Sequence, residues 1–469
     1  MFRQGVEALE GRRLLSASAF PIAIGSTGAD SATSIAFDRH TNSVIVAGTL
    51  AAAADIDPGA AVVNLSAGTF VAKYAPDGTL VWGRQFPGAT IAKVATDGSN
   101  SIYIAGSFSG TVDFDPRKGV HHLTAAGGTD AFVCKLSTNG NFILAAPFGG
   151  KGDDAATALA VEYSGNMFVG GTFKARANFN PNGVYSIGNS GGSDGFISAL
   201  DSAGLFRWAG SFAGSSDDGT SDLAVDDSGN VLATGRYLGS VDFDPGHGTS
   251  SVNVAGTLQA YVFKWDSTGA FVFADGIGGT GVTFGSAVTV DRDDNIYATG
   301  NFTGTADFDP GAGTFNLTAP STGQVYVSKL NSSGAMVWAK AIGGTSSQNV
   351  GPAEIAVDKA KNVYTSGTFS GTQDFDPSGG ASNLTSAGLN DVFVSKLNSS
   401  GNFVFAKSQG GTLDDAAVGL VQDRDGNILT DGIFAGTANF ATSGSPANLI
   451  SLGSDDIFVS KLDSSGVLA

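Results

Sequence analysis

Short apolar runs alternate with clusters of Gly, Asn, Asp and Ser along almost the whole chain. One unit opens with Ala287-Val-Thr-Val290, passes through the polar stretch Asp291-Arg-Asp-Asp-Asn295 and continues as Ile296-Tyr-Ala298. Two later runs of such a unit are represented by Asp391-Val-Phe-Val-Ser-Lys-Leu397 and Asn402-Phe-Val-Phe-Ala-Lys407. Runs rich in Val, Ile, Phe and Tyr between such clusters are typical of antiparallel strands joined by tight turns. The pattern therefore predicts four short strands in each unit.

The unit occurs seven times, and an Asp-Phe-Asp-Pro segment marks each copy. Successive copies of this segment begin 58, 65, 64, 65, 67 and 65 residues apart. Four strands repeated at a fixed period favour an all-β fold, a seven-bladed β-propeller of four-stranded blades. The seven segments are Asp55-Ile-Asp-Pro58, Asp113-Phe-Asp-Pro116, Asn178-Phe-Asn-Pro181, Asp242-Phe-Asp-Pro245, Asp307-Phe-Asp-Pro310, Asp374-Phe-Asp-Pro377 and Asn439-Phe-Ala-Thr442.

The two ends of the repeated region complement each other. The seventh copy stops at Asp463-Ser-Ser-Gly-Val-Leu-Ala469, where its fourth strand is due, whereas Phe20-Pro-Ile-Ala-Ile24 matches a fourth strand in its apolar spacing. An N-terminal strand completing the last blade would close a ring and remove its open edges. We predict a tail at 1–19, a propeller at 20–469, and repeats at about 30–88, 89–150, 151–214, 215–279, 280–344, 345–411 and 412–469 plus 20–25.

Two further positions recur in every copy. A Gly ends each second strand, which predicts a close approach of another backbone. An Asn closes the turn between the first two strands, where it would supply the left-handed conformation that a hairpin needs. The glycines are Gly48, Gly106, Gly171, Gly235, Gly300, Gly367 and Gly432, and the asparagines are Asn42, Asn100, Asn166, Asn230, Asn295, Asn362 and Asn427.

The composition narrows the classes of function. The net charge of −18 disfavours binding to nucleic acid or to anionic membrane surfaces. The single Cys134 excludes an internal disulfide framework, and the four histidines, His40, His121, His122 and His247, fall at unrelated positions of the repeat. No run of 18 or more strongly apolar residues exists, so we expect no transmembrane helix. We expect a monomer.

Two stretches resemble known families. The N-terminal run Val6-Glu7-Ala8-Leu9-Glu10-Gly11-Arg12-Arg13-Leu14-Leu15-Ser16 resembles the LEPR-XLL region of planctomycete envelope and exported proteins, with Gly11 in place of the usual Pro. Repeat endings such as Phe393-Val-Ser-Lys-Leu-Asn-Ser-Ser-Gly401 and Ala341-Ile-Gly-Gly344 resemble the bacterial SBBP-type β-propeller repeat. These resemblances imply an exported or cell-surface, extracytoplasmic propeller, and the family carries no family-wide catalytic residues.

The paired acids of the Asp-Phe-Asp-Pro segment are the candidate metal site. Carboxylates at i and i+2 of an extended strand point to the same side and could bind Ca²⁺ together with backbone carbonyls. The alternative is structural: the middle residue is apolar in all seven copies while the acids are lost in two, which favours a buried plug beside a turn capped by Asp. The candidate ligands are Asp55, Asp57, Asp113, Asp115, Asp242, Asp244, Asp307, Asp309, Asp374 and Asp376.

A lysine recurs on the third strand. Facing blades of a propeller would leave it partly buried, so it needs an anion. The third copy has Ala199 instead and also lacks both acids of the marker segment, which favours pairing between the lysine and those acids. A partner on an adjacent blade, or a lysine extended to solvent, is the alternative, because Lys461 persists in a copy without the acids. The structural ion-pair candidates are Lys73, Lys135, Lys264, Lys329, Lys396 and Lys461.

These patterns favour a non-enzymatic propeller that acts as a binding or scaffold module for a protein or a glycan. No Ser/His/Asp arrangement, nucleophile elbow or phosphate loop is present, and we expect no catalytic residues and no cofactor apart from Ca²⁺. One alternative is an extracytoplasmic enzyme, either a glycan-active hydrolase or lyase or a quinoprotein-like oxidoreductase. The Gly-x-x-x-Trp spacing at Trp82 and Trp338 is similar to the docking motif of the latter, although Leu and Phe replace Trp in other copies. A calcium-stabilised adhesion propeller is the third possibility.

Overall fold

A computed structural model describes residues 20–246, 248–253, 257–309, 311, 313–344 and 350–469. The tail predicted at 1–19 lies outside the described residues, as does His247. The described part of the chain is all-β and contains no helix.

Thirty-four strands, numbered in chain order, account for the regular structure of the described residues. They are β1 (Ile22–Ile24), β2 (Ser31–Asp38), β3 (Ser43–Leu50), β4 (Ala54–Asp55), β5 (Asn64–Leu65), β6 (Gly68–Tyr74), β7 (Leu80–Gln85), β8 (Ala89–Thr96), β9 (Ile102–Asp113), β10 (His122–Leu136), β11 (Phe142–Gly150), β12 (Ala155–Val161), β13 (Met167–Phe173), β14 (Ala177–Asn178), β15 (Ser186–Ile187), β16 (Asp194–Leu200), β17 (Phe206–Phe212), β18 (Gly219–Val225), β19 (Val231–Tyr237), β20 (Ser240–Asp242), β21 (Ser251–Asn253), β22 (Gln259–Trp265), β23 (Phe271–Gly279), β24 (Thr283–Val290), β25 (Ile296–Asp307), β26 (Asn316–Leu330), β27 (Met336–Ile342), β28 (Val350–Val357), β29 (Val363–Asp374), β30 (Asn383–Leu397), β31 (Phe403–Gly411), β32 (Ala416–Gln422), β33 (Ile428–Asn439) and β34 (Asn448–Leu462).

These strands pair into antiparallel units of four, numbered here repeats 1 to 7. In order they are β2-β3-β6-β7, β8-β9-β10-β11, β12-β13-β16-β17, β18-β19-β22-β23, β24-β25-β26-β27, β28-β29-β30-β31 and β32-β33-β34-β1. In the last unit the N-terminal strand pairs with the C-terminal one, with Ile22 opposite Val459 and Ile24 opposite Ile457. This is the pairing predicted from the sequence. The arrangement is of the β-propeller type.

The first strands of the repeats lie side by side around one axis. Each first strand contacts that of the next repeat, and β32 of repeat 7 contacts β2 of repeat 1. Every first strand shifts its register by one residue at the same point, a β-bulge that re-aims the following side chain. The residues that follow the shift are Ser34, Lys93, Ala158, Asp222, Ala287, Glu354 and Gly419.

The antiparallel order gives the assembly two different faces. Connections between strands one and two and between strands three and four lie at one end, which we call the turn face. Connections between strands two and three, and between one repeat and the next, lie at the other end, the strap face. The recurring Gly lies inside each second strand and not at its end as predicted, because the strand continues beyond it. It meets a backbone carbonyl of its own first strand: a methyl group on Gly300 would lie 1.8 Å from Phe284 O, and one on Gly106 would lie 1.9 Å from Thr90 O. The predicted close approach is confirmed.

Asn does not have the uniform role predicted for it at the turn. Asn42 and Asn100 have φ of 56° and 63°, but in the other repeats the residue before Asn takes the positive φ, as at Asp294. Asn295 instead donates its side-chain amide to Asp291, 2.8 Å from Oδ2. In repeats 3 to 7, therefore, Asn stabilises the turn through its side chain, because a neighbour supplies the left-handed backbone.

The Asp-Phe-Asp-Pro segment begins a strap that crosses from one repeat to the previous one. In repeats 3 to 7, backbone at the start of the strap meets the end of the preceding repeat's fourth strand. The contacts are Asn178 with Gly149, Asp242 with Ala213, Asp307 with Gly278, Asp374 O with Gly343 N at 2.9 Å, and Asn439 with Gly410. The segment thus joins neighbouring repeats, in addition to connecting strands two and three.

The apolar residue in the middle of each strap is buried, as the sequence predicts. Phe308 is 1% exposed, and its ring centroid lies 5.3 Å from that of Phe302 and 5.1 Å from that of Tyr326. Its equivalents Ile56, Phe114, Phe179, Phe243, Phe375 and Phe440 are fully buried.

The tryptophans of the fourth strands also join repeats. Trp82 and Trp338 are buried. Their indole Nε1 atoms donate to Thr138 O at 3.1 Å and Ser399 O at 3.2 Å, in the turn before the next repeat's fourth strand.

Candidate functional site

The acids of the Asp-Phe-Asp-Pro segments accept hydrogen bonds from backbone amides of their own turns. Asp307 Oδ1 accepts from Asp309 N at 3.0 Å and Phe315 N at 2.8 Å, and Asp309 Oδ1 accepts from Gly311 N at 2.9 Å. The same pattern recurs at Asp55, Asp57, Asp113, Asp115, Asp242, Asp244, Asp374 and Asp376. These carboxylates cap turns.

Neutral side chains do the same work in the two degraded copies. Asn178 Oδ1 accepts from Asn180 N and Tyr185 N, and Asn439 Oδ1 accepts from Ala441 N and Ala447 N. The turn therefore needs an acceptor oxygen and not a charge. No three His, Cys, Asp or Glu side chains in the described ranges are grouped as a metal site requires. These contacts favour the turn over calcium.

The recurring lysines reach the other face of the repeat. Lys73 Nζ lies 2.5 Å from Asp38 Oδ2, and Lys264 Nζ lies 2.7 Å from Asp226 Oδ2. Both aspartates open the turn between strands one and two, and in each pair both side chains are at most 7% exposed. Lys461 lies 2.9 Å from Asp423, and Lys135 lies 3.7 Å from Asp97. The predicted pairing with Asp-Phe-Asp-Pro acids is thus wrong, because those acids lie at the strap face and the lysines at the turn face.

Lys329 and Lys396 have different surroundings. Their Nζ atoms lie over the rings of Tyr297 and Tyr364, 5.0 Å and 4.9 Å from the centroids, a geometry that favours cation–π attraction. Lys396 Nζ also donates to Ser464 O in the next repeat, at 3.0 Å. Both lysines therefore contact an aromatic face, and Lys396 also binds a backbone carbonyl.

In repeat 3, which lacks the lysine, other side chains of the same repeat contact the acid of the turn. Its turn opens with Glu162, which accepts from Ser164 Oγ at 2.6 Å and Asn166 Nδ2 at 2.8 Å. Arg207 of the fourth strand approaches the same carboxylate at 4.0 Å. The simultaneous loss of Lys and of the strap acids in this copy is therefore coincidental, since the two positions belong to opposite faces.

Pairing lowers the pKa of the turn aspartates. Burial by itself would raise the pKa of Asp38, but hydrogen bonds from Lys73 and Thr41 outweigh it and lower the pKa overall. The same balance lowers the pKa of Asp226 and of Asp423, with Asn230 and Asn427 as additional donors.

Charged side chains from three repeats meet on the axis. Lys93 Nζ of repeat 2 lies 3.2 Å from Asp222 Oδ1 of repeat 4 and 3.0 Å from Glu354 Oε2 of repeat 6. All three follow the bulge of a first strand. Asp222 also accepts from Val288 N of the next first strand at 3.0 Å. We call Lys93, Asp222, Glu354 and the neighbouring Asp431 the axial cluster.

The axial cluster contains more acid than base. Asp431 is fully buried, and both of its carboxylate oxygens lack a hydrogen-bond partner. Burial and the charge of Glu354 raise the pKa of Asp431 to about 7. Burial also raises the pKa of Glu354, with Lys93 opposing and Asp222 reinforcing the shift. Perturbed acids in a cleft are frequent at functional sites, although structural ion pairs produce them as well.

Sequence reasoning missed the axial cluster, yet the repeat contains its signal. Aligned copies place Lys93, Asp222 and Glu354 at a position that Ser, Ala or Gly occupies elsewhere. Asp431 likewise stands where the other second strands have Ala, Gly, Thr or Ser before their recurring Gly. Isolated charges at a position of small residues mark the axis.

A cavity of about 460 Å³ opens on the strap face between repeats 3 and 4. Its lining combines the exposed Arg236 and Asp217 with the partly buried Leu238 and Leu258. Asp217 Oδ1 accepts from Ser193 N at 2.7 Å and from Ser193 Oγ at 3.0 Å, and these hydrogen bonds lower its pKa. The cavity presents a cation, an anion and an apolar wall.

Comparison with known proteins supports the repeat nature of the chain. No family model matches it. It is similar to an uncharacterized WD repeat-containing protein, L264, of Acanthamoeba polyphaga mimivirus, with 23% identity over 450 residues. The match covers 80% of this chain and 32% of that protein, so the chain spans about a third of the length of its relative.

Solved structures with a similar course of the chain include the Dos1 propeller (10% identity, 94% of each chain, TM-score 0.45) and Sqt1 from Chaetomium thermophilum (10% identity, 87% of this chain and 95% of that one, TM-score 0.42). A third is a polysaccharide lyase of family PL25, an ulvan lyase (10% identity, 92% of this chain and 97% of that one, TM-score 0.41). Their TM-scores lie below 0.5, and they carry no argument about activity. Within the described residues, no helix has the length and apolar character to span a membrane.

Proposed function

We propose that this chain is an exported, SBBP-type bacterial β-propeller of seven blades that binds a glycan or a protein and performs no catalysis. The ring of first strands supports closure, since β32 contacts β2 and β1 pairs with β34. Pairing of an N-terminal strand with the last unit removes the free edge at which an open array would end.

The observation that carries the proposal is the pairing of charges on the axis. Lys93 from repeat 2 spans the centre and is bound to acids from repeats 4 and 6. Side chains bound to one another across a channel hold the ring together, and ligand contacts are then left to the outer faces.

The cavity between repeats 3 and 4 is the proposed contact site. A sugar ring has hydroxyl groups for Arg236 and Asp217 and an apolar face for Leu238 and Leu258. Arg236 also departs from the repeat, because the equivalent residues are Thr49, Ser107, Thr172, Asn301, Thr368 and Ile433. This combination favours a glycan over an apolar ligand.

A glycan array with pure protein tests the proposal, with Arg236→Ala as the site variant and Arg292→Ala as the control, since Arg292 is an exposed turn-face arginine. We expect binding to a defined glycan class that Arg236→Ala weakens at least tenfold and Arg292→Ala leaves unchanged. Equal binding by both variants would place the ligand elsewhere. Turnover of a bound glycan would overturn the non-enzymatic assignment.

The axial cluster favours one second candidate, a glycan-active hydrolase or lyase. Glycoside hydrolysis uses a pair of carboxyl groups, and Asp431 and Glu354 form such a pair near Lys93, with burial raising the pKa of both. Incubation with polysaccharides, followed by detection of new reducing ends or unsaturated products, decides between the enzyme and the binding module. Activity that Glu354→Gln abolishes would support the enzyme, and no product from any polysaccharide would support the binding module.

A further inference from the structure

Aspartates at two positions of the repeat occur together or not at all. One lies on the third strand, five residues before the position of the recurring lysine, and the other lies four residues before the residue that follows the bulge of the next repeat's first strand. Both are acids in the pairs Asp130 with Asp154, Asp194 with Asp218, Asp391 with Asp415, and Asp456 with Asp30. Neither is an acid in the remaining pairs, Gly68 with Ala89, Gln259 with Thr283, and Gln324 with Val350. Two like charges that repelled each other would not be kept together, so each pair acts as a unit.

In two of the four pairs, the members face each other across one glycine at the junction between repeats. A methyl group on Gly149 would lie 2.7 Å from Asp130 Oδ1 and 2.9 Å from Asp154 Oδ2. One on Gly410 would lie at the same two distances from Asp391 Oδ1 and Asp415 Oδ2. All four aspartates are at most 3% exposed. We call these facing acids the junction pairs.

The backbone supplies three donors for the four carboxylate oxygens in the pair of Asp391 with Asp415 and in the pair of Asp130 with Asp154. Ala387 N donates to Asp391 Oδ2 at 2.9 Å, Gly411 N to Asp415 Oδ2 at 2.6 Å, and Ala435 N to Asp415 Oδ1 at 3.2 Å. Asp391 Oδ1 is buried and has no partner. Asp130 and Asp154 repeat this pattern with the amides of Ala126, Gly150 and Lys174, and Asp130 Oδ1 is again unpartnered.

In repeat 4, a neutral side chain supplies the donor that the junction pairs lack. Gln259 occupies the position of Asp391, and its Oε1 accepts from Gly279 N at 2.9 Å. Its Nε2 donates to Gly281 O at 3.0 Å and to Thr257 Oγ1. The uncharged amide thus provides both an acceptor and a donor. A protonated carboxyl group is the closest chemical equivalent of an amide, since it also carries one donor beside one acceptor.

We propose that each junction pair binds one proton, held on the oxygen of Asp130 or Asp391 that lacks a backbone donor and shared with the facing oxygen of Asp154 or Asp415. Asp194 and Asp218 form a third pair, in which Asp194 Oδ1 and Asp218 Oδ2 are both buried without partners. At the fourth junction Asp456 Oδ1 is unpartnered, while Asp30 accepts from Ser26 Oγ at 2.8 Å and Ala51 N at 2.7 Å. The folded propeller is therefore more stable at acidic pH, because the bound protons strengthen its inter-repeat junctions.

The pKa shifts of the junction aspartates have the direction that a bound proton requires. Burial raises the pKa of Asp154, Asp391 and Asp415 to about 6 and that of Asp218 to about 7, and the facing acids Asp130, Asp194 and Asp391 add to the shift of Asp154, Asp218 and Asp415. Three further acids, Asp153, Asp217 and Asp414, raise the pKa of Asp154, Asp218 and Asp415 respectively, while the cations Lys174 and Arg236 lie close enough to lower the pKa of Asp217. A pKa raised in the folded state gives stability that is complete below the unfolded value of 3.8 and is lost as the pH rises through about 6 to 7.

Urea unfolding at pH 5 and pH 8 tests the proposal on the full chain. We expect the wild type to be more stable at pH 5 than at pH 8, and Asp391→Asn, an isostere of the protonated acid, to reduce this difference by raising stability at pH 8. Asp414→Asn is the matched control: Asp414 is an exposed acid of the same junction, and we expect the pH difference to remain. The double variant Asp391→Gln with Asp415→Thr introduces the neutral pair of repeat 4 and serves if the single variant does not fold.

An unchanged pH difference in both junction variants would overturn the proposal. So would a rise in melting temperature with saturating CaCl₂ that the wild type shows and Asp391→Asn lacks, because the pair would then bind a cation in place of the proton. A flattened pH profile with no response to CaCl₂ supports the shared proton.

Discussion

Buried aspartates at the turn face and at the strap face have opposite partners. At the turn face, Asp38 and Asp226 accept from Lys73 and Lys264, and pairing lowers their pKa. At the strap-face junctions, Asp154, Asp218 and Asp415 lie near a second aspartate, and burial raises their pKa. The same side chain is thus kept charged at one face and, by our proposal, half-protonated at the other.

The difference teaches that burial does not decide the charge of an aspartate. The balance between desolvation and available donors decides it. Where a lysine and an asparagine donate to the carboxylate, their hydrogen bonds outweigh the desolvation that burial causes, and the pKa is lowered. Where three amides serve four oxygens, a proton supplies the fourth donor. The pH windows are consequently separate: the turn-face pairs lose stability only below about 3.8, and the junction pairs lose theirs as the pH rises to about 7.

The largest expected effect comes from removing the cation at the turn face. Lys73→Met leaves the fully buried Asp38 without its ion-pair partner, which costs about 3–5 kcal/mol of unfolding free energy. Urea denaturation at pH 7 measures it. Lys396→Met is the matched control, because that lysine contacts a ring and a carbonyl, and its loss should cost about 1 kcal/mol. Equal losses would show that the carboxylate at Asp38 does not depend on its lysine.

A comparable loss is expected from the apolar part of the strap face. Phe308→Ala opens a cavity between Phe302 and Tyr326 and should cost about 3–5 kcal/mol. Phe308→Leu fills most of that space and should cost less than half as much, in the same denaturation experiment. A loss below about 1 kcal/mol for Phe308→Ala would contradict its role as the buried anchor of the strap.

A smaller effect of opposite sign is expected at a junction pair. Asp130→Asn supplies the missing donor to Asp154 without taking up a proton, so the variant should gain about 1–2 kcal/mol at pH 8 and little at pH 5. Chemical denaturation at both pH values measures the gain. Asp153→Asn controls for the general removal of one acid at this junction. A destabilised Asp130→Asn at pH 8 would show that the pair is held fully ionised.

The smallest effect is expected at the acids of the Asp-Phe-Asp-Pro segments, although these are the most conspicuous acids in the sequence. Asp307→Asn keeps the acceptor of the turn, as Asn178 does in repeat 3, and should change the unfolding free energy by less than about 0.5 kcal/mol. Thermal melts with CaCl₂ and with EGTA should coincide for the wild type and the variant. A calcium-dependent rise in melting temperature that Asp307→Asn removes would restore the metal hypothesis.

Much of the fold follows from the repeat alone. The period predicts the four-stranded units, the recurring Gly predicts where backbones meet, and the short seventh copy predicts the pairing of β1 with β34. The predicted pairing of the lysines with the Asp-Phe-Asp-Pro acids is wrong, because sequence proximity does not show that the lysine and those acids lie at opposite ends of the repeat. The alternative, a partner on the adjacent repeat, holds for Lys135 and Lys396, which donate to Ser202 O and Ser464 O. The axial cluster and the junction pairs were not predicted for a different reason. Their members come from different repeats, and only a comparison of aligned copies distinguishes them from ordinary surface acids.

Infrared spectroscopy of the folded protein tests the comparison most directly, because the carboxylic acid C=O stretch reports protonated aspartates. We predict a carboxylic acid band that persists at pH 5, where exposed aspartates are ionised, and that disappears with a midpoint between pH 6 and 7. The band should weaken in Asp130→Asn and Asp391→Asn and remain unchanged in Asp38→Asn. A spectrum in which all aspartates ionise near pH 3.8, with no band left at pH 5, would contradict the shared proton at the junctions.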